Sequence, residues 1–106
     1  MNIKNFLLFT FYIFVNLLII PAKSDTMFIF GKDIFLNKAV CSSCHTLTDA
    51  GSNSHIGPNL NEIKPDKMRV KNAVINGIGV MPAYEEQLTP EEIDAVSHYV
   101  SVAVNQ

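Results

Sequence analysis

Cys41, Ser42, Ser43, Cys44 and His45 bring two thiols and an imidazole within five consecutive positions, and the 106-residue chain has no other cysteine. Two thiols three residues apart can exchange with disulfides, supply half of a structural zinc site, or form two thioether bonds to a haem. The histidine beside them separates these chemistries. Thioredoxin-like exchange goes with a βαβ pattern, and no strand pattern is visible. A zinc site needs four ligands at recognisable spacings, and the other histidines, His55 and His98, lie far apart in a loop and a helix. A chance pair of exposed free thiols would be open to oxidation. Haem attachment uses all three residues: two thioethers fix the macrocycle to the backbone, and the next side chain is carried under the iron. C-x-x-C-H is the signature of that arrangement, so the chain is expected to carry one covalent haem c.

An iron held by His45 alone keeps a position for a small ligand, whereas a second protein ligand closes it and favours electron transfer. The candidates are Met27, Met68, Met81, His55 and His98. Met68 falls in an apolar-rich helical stretch, where methionine serves as core filler, and Met27 precedes the cysteines too closely to reach the opposite face. Met81 is different. Pro82 biases it toward an extended conformation, and Gly77 and Gly79 are expected to let the backbone approach a flat ligand. Met81 is therefore the expected partner of His45 on the iron, with His55, His98 and an open position as alternatives. A thioether raises the potential of haem relative to a second histidine, which suits high-potential partners.

These groups need elements to hold them. Residues 27–39 place Phe28, Ile34, Phe35 and Leu36 near a helical repeat, with Gly31 as a gap for close approach, so a helix is expected to end just before or within the cysteine motif. Residues 47–58 are rich in Asp, Gly, Ser and Asn and read as a loop. Asp66 is a cap candidate for a short helix stopping at Gly77, and Gly77 to Leu88 reads as a loop. Thr89-Pro90-Glu91-Glu92 combines an N-cap threonine, a proline at the first helical position and a glutamate three residues after the cap. Ile93, Val96, Val100 and Ala103 continue that helix on one face. The expectation is an all-α domain with three main helices and long loops.

The first residues have another character. A lone Lys4, the mostly apolar run from Phe6 to Ile20, Pro21 and the small-residue pattern Ala22-Lys23-Ser24 have the layout of a secretory leader. The run is shorter than the ~20 apolar residues of a transmembrane helix. Residues 1–24 are expected to be a leader cleaved after Ser24, with an uncleaved anchor as the alternative, and residues 25–106 a monohaem domain. Without Lys4 and Lys23, six Lys and Arg stand against ten Asp and Glu. That acidic balance argues against a nucleic-acid partner. A domain of this size has a marginal core and usually recruits a staple. A Cys41–Cys44 disulfide would close too small a loop to serve, whereas a haem offers a large apolar face.

Cys41-Ser42-Ser43-Cys44-His45, Gly57-Pro58-Asn59-Leu60 and Met81-Pro82-Ala83-Tyr84 before a C-terminal helix resemble the small class I c-type cytochromes. That group includes mitochondrial cytochrome c, bacterial cytochrome c-553 types and the photosynthetic cytochrome c6. The resemblance covers residues 27–104 and implies that the Pro58 carbonyl accepts a hydrogen bond from His45, that Leu60 packs against the haem, and that Gly31 and Phe35 cross the last helix near Tyr99. Tryptophan is absent and the segment from Leu60 to Met81 is short, so the long insertion of mitochondrial cytochrome c is missing and the bacterial short-chain branch fits better.

The function expected is one-electron transfer without enzymatic turnover, since nothing in the chain looks like a substrate pocket or an acid–base pair. Donor and acceptor would be redox proteins, either membrane-bound complexes or an exported dehydrogenase, met in the periplasm or an equivalent compartment such as the thylakoid lumen. The rival reading is a permanent electron-accepting subunit of an exported dehydrogenase. Lys64, Lys67, Arg69 and Lys71 form one charged run and Glu85, Glu86, Glu91, Glu92 and Asp94 another. Solvated helix faces are the default for both, and an acidic docking rim beside Met81 is the functional alternative.

Overall fold

In a computed structural model the structure describes residues 2–8, 10 and 23–106. Most of the apolar run expected to be a leader lies outside these residues. Helix α1 spans Lys23–Asp33 and widens into a single π-helical turn at Ile34–Lys38; α2 is Leu60–Ile63, α3 is Lys67–Asn76 and α4 is Pro90–Ala103. Among the described residues there are only two isolated bridges, Leu47 to Ser52 and Ile78 to Met81, and no strand. No helix among them is long and apolar enough to cross a membrane. The fold is all-α, with α1, α3 and α4 as its three main helices.

The starts of α2, α3 and α4 have local causes. At α4 the Thr89 hydroxyl accepts from Glu92 N at 3.2 Å while Glu92 Oε1 accepts from Thr89 N at 2.9 Å, so two otherwise orphaned donors are satisfied together. At α3 the Asp66 carboxylate accepts from Arg69 N at 2.8 Å, and Gly77 ends the helix at φ 73°. The short α2 was not expected. Its Asn59 side chain accepts from Glu62 N at 3.3 Å, but four residues carry no readable period.

The crossing of α1 over α4 organises the core. A Cβ on Gly31 would lie 2.1 Å from the Ala95 carbonyl oxygen and 2.6 Å from Tyr99 Cβ, so only glycine lets the two backbones approach this closely. Tyr99 is fully buried there, edge-on to Phe28 at 4.8 Å and to Phe35 at 5.6 Å. Its hydroxyl donates to Asp49 Oδ2 at 2.8 Å, and Lys32 reaches the same carboxylate at 3.2 Å. Burial first, and then Asp49, push the Tyr99 phenol well above its ordinary value. Ile34, Leu47, Val74, Ile93, Val96, Val100 and Val104 complete the core, with α3 covering the other flank of α4. The crossing anticipated for Gly31, Phe35 and Tyr99 is thus present. Met68, expected as core filler, is 63% exposed on the outer face of α3.

Candidate functional site

The chain leaves α1 through a strained bend. Val40, a β-branched residue, sits in the left-handed region at φ 53° and ψ 43°. Its carbonyl accepts from Ser43 N at 3.0 Å and from Ser43 Oγ at 2.7 Å, which fixes the turn through Cys41–Ser43. His45 N then donates back to the Cys41 carbonyl at 3.0 Å. Both thiols and the imidazole are therefore delivered by one short, hydrogen-bonded turn.

His45 Nδ1 lies 2.8 Å from the Pro58 carbonyl oxygen. A carbonyl can only accept, so Nδ1 carries the proton, and in the neutral ring the Nε2 lone pair is left for a metal. Gly57 fixes the ring from the side: a Cβ there would come within 2.6 Å of His45 Cε1. The intervening loop is fastened along its length. Gly57 N donates to the Cys44 carbonyl at 2.6 Å and Leu60 N to the Thr46 carbonyl at 3.0 Å. Thr46 Oγ1 donates to Ser54 O, and Ser54 Oγ to Ser43 O, each at 2.8 Å.

Met81 is held differently. Ile78 N donates to Met81 O at 3.2 Å and Met81 N to Ile78 O at 2.9 Å, closing a tight turn with Gly79 at φ 57° as its first central residue. Tyr84 N donates to the Val74 carbonyl at 2.8 Å. Gly77 is needed because a Cβ would meet Met81 O at 2.7 Å and Ala83 N at 2.9 Å. The expected reason for the two glycines is corrected: they admit the loop's own backbone and turn, and neither lines the ligand cleft.

These segments enclose one cleft of about 280 Å³, and Cys41, Cys44, His45, Pro58, Leu60 and Met81 all line it. Val70 and Ala73 of α3 complete an apolar wall, and Ser43, Arg69 and Tyr84 add polar groups. His55 is exposed in the loop and His98 half-buried on α4; neither these nor Met27 or Met68 line the cleft. Burial raises the Cys41 thiol to about 11, with the neighbouring Cys44 adding to the rise and a backbone hydrogen bond opposing it. A buried thiol that ionises so reluctantly is a poor nucleophile for disulfide exchange. Apolar walls, two thiols on one turn, an imidazole with its outer nitrogen committed and a thioether in the same cleft fit a haem c.

Three features escape a reading of the sequence: the contact of Gly57 with His45, Arg69 in the lining, and the Tyr84 hydroxyl, which donates to the Ala39 carbonyl at 3.2 Å. The signals for Gly57 and Tyr84 were their places within Gly57-Pro58 and Met81-Pro82-Ala83-Tyr84. The two charge runs are not segregated in space. Asp94 pairs with Lys67 at 3.0 Å and approaches Lys71 at 4.0 Å, Lys64 Nζ donates to Val104 O at 2.9 Å, and Lys38 pairs with the buried Glu92. Glu92 and Asp94 therefore belong to the fold, and the acidic run beside Met81 shrinks to the exposed Glu85, Glu86 and Glu91.

Residues 31–100 match the family described as "Cytochrome C oxidase, cbb3-type, subunit III". Cytochrome c6 of Bryopsis maxima is 31% identical over 86 residues, covering 72% of this chain and 91% of the relative. The crystal structure of the c-type cytochrome SorU from Sinorhizobium meliloti superposes with a TM-score of 0.74 at 49% identity, covering 77% of this chain and 95% of that one.

Proposed function

The chain belongs to the class I monohaem c-type cytochromes, electron carriers with a covalently bound haem c, and from that premise we propose an exported one-electron carrier with His45 and Met81 as axial ligands. The observation that carries the proposal is the single cleft lined by Cys41, Cys44, His45 and Met81, with Nδ1 of His45 committed to Pro58. When bound, haem c supplies an iron that alternates between ferrous and ferric states. The protein's part is positional. Cys41 and Cys44 tether the macrocycle, and Pro58 and Gly57 fix the plane and tautomer of His45, so this ligand needs no reorganisation when charge changes. Leu60, Val70 and Ala73 exclude water, which disfavours the more charged ferric state and raises the potential. Met81 adds a soft ligand acting in the same direction.

Exposed Ile56, Ile78 and Val80 at the cleft mouth, with Glu85 and Glu86 following, suit a small, transient contact with a redox protein donor or acceptor. The N-terminal apolar run supports export, with residues 25–106 as the mature domain in a periplasm-like compartment; the mass of the matured protein tests the boundary. Axial ligation is tested by Met81→His. The midpoint potential should fall by a sizeable share of the ~0.8 V range that axial ligands command, and the charge-transfer band of thioether-ligated ferric haem should vanish. An unchanged band and potential would move the ligand to another residue.

A further inference from the structure

The two sides of the cleft are joined by very little. Among the described residues, one hydrogen bond connects the Met81 loop, residues 77–88, to the cysteine segment, residues 39–45: Tyr84 Oη donating to the Ala39 carbonyl at 3.2 Å. The acceptor is a carbonyl that the helix end leaves over. Ala39 N closes the π-helical turn on Ile34 O at 2.9 Å, and the next residue, Val40, swings into the left-handed region, which takes the chain out of the helix. A carbonyl at a helix terminus needs an outside donor, and the phenol reaches it across 45 positions of sequence. The Tyr84 ring meanwhile lines the same cleft as Met81, and its backbone is tied on both sides, N to Val74 O at 2.8 Å and O to Leu88 N at 2.9 Å. The hydroxyl is thus the tip of a well-anchored residue placed three positions after Met81.

We propose that Tyr84 is a positioning residue whose hydroxyl clasps the Met81 loop to the bend before Cys41 and so holds Met81 over the cleft. The inference rests on Met81 as the sixth ligand. Tyr84→Phe keeps the ring against the cleft and deletes only the clasp. In the ferric holoprotein, imidazole competes with Met81, and its apparent affinity is reduced by the fraction of molecules whose loop is open. Losing one hydrogen bond should raise that fraction, so Tyr84→Phe should bind imidazole about three- to tenfold more tightly. The amide hydrogens of Met81 and Tyr84 should exchange faster by a similar factor, with that of Val96 in α4 unchanged.

Unchanged imidazole affinity together with unchanged exchange overturns the clasp. So does acceleration that includes Val96 equally, because that would be a general loss of stability. A separate control isolates the underlying assignment: Met81→Ala should itself strengthen imidazole binding. If it does not, Met81 is not the ligand, and the exchange of the Met81 and Tyr84 amides alone decides whether the clasp exists.

Discussion

The cleft has two unequal walls. On the His45 side, residues 41–60 are bound to one another by a dense set of short hydrogen bonds, Leu47 anchors the loop in the core, and Gly57 is wedged against the imidazole. On the Met81 side, a two-residue turn hangs between the end of α3 and the start of α4, with Val80 at its tip 92% exposed. The difference follows from how each side chain is fixed. His45 follows a cysteine that is itself tethered to the haem, so its wall can be rigid without shutting the cofactor out. Met81 has no such tether, and its wall closes by a turn, one backbone bond to Val74 and one phenol. Damage to the first wall should therefore be felt by the whole molecule, and damage to the second mainly by access to the cleft.

The sharpest trial of that contrast is Gly57→Ala. The new methyl must displace an imidazole that is held by the Pro58 carbonyl and, in the proposed ligation, by iron as well, so the ring cannot move aside cheaply. Overpacking of this kind costs about 2 kcal/mol, which for a domain of this size lowers Tm by roughly 10 °C. Thermal unfolding of the holoprotein followed by circular dichroism measures it. An unshifted Tm would mean that the His45 wall yields as readily as the other.

Gly77→Ala makes the matching change on the Met81 side. It combines an unfavourable φ of 73° with a Cβ 2.7 Å from Met81 O, a local cost of about 1–3 kcal/mol. Here the loop can open while α4 stays intact, so much of the cost should appear as opening. Exogenous ligands should bind several-fold more tightly, and Tm should fall by less than in Gly57→Ala. Equal losses of Tm in the two variants would erase the distinction between the walls.

The same contrast governs what is legible in the sequence. Cys41, Cys44 and His45 stand out because attachment chemistry prescribes their adjacency, and Met81 because a methionine before proline in a glycine-bearing stretch fits no helical stripe. Helices α3 and α4 are legible because their caps are written in Asp66 and in Thr89-Pro90-Glu91-Glu92. The contacts that hold the walls are not written locally. Gly57 meets a ring 12 positions away and Tyr84 a carbonyl 45 away, so their roles depend on the closed chain. The charge runs mislead for the same reason: segregation along the chain is undone when α3 packs beside α4 and Lys67 meets Asp94.

One ion pair ties the approach to the cysteines to the helix that follows the Met81 loop, and it should give the smallest effect. Lys38 lies just before the bend at Val40, and its partner Glu92 closes the capping box of α4. The Lys38 ammonium first, and then the Thr89 backbone N–H, hold the Glu92 carboxyl below its usual range. A lowered carboxylate contributes stability that is fully present above its unfolded value, about 4.3, and is lost as the pH falls through the lower folded value. Glu92→Gln keeps the side-chain oxygen that the capping box requires and removes only the charge. At neutral pH the variant should melt a few degrees below the wild type, and the gap should close on acidification below about pH 4. A gap that stays constant with pH would assign the loss to packing around Glu92. The Lys38 pair would then contribute nothing measurable to joining the two walls.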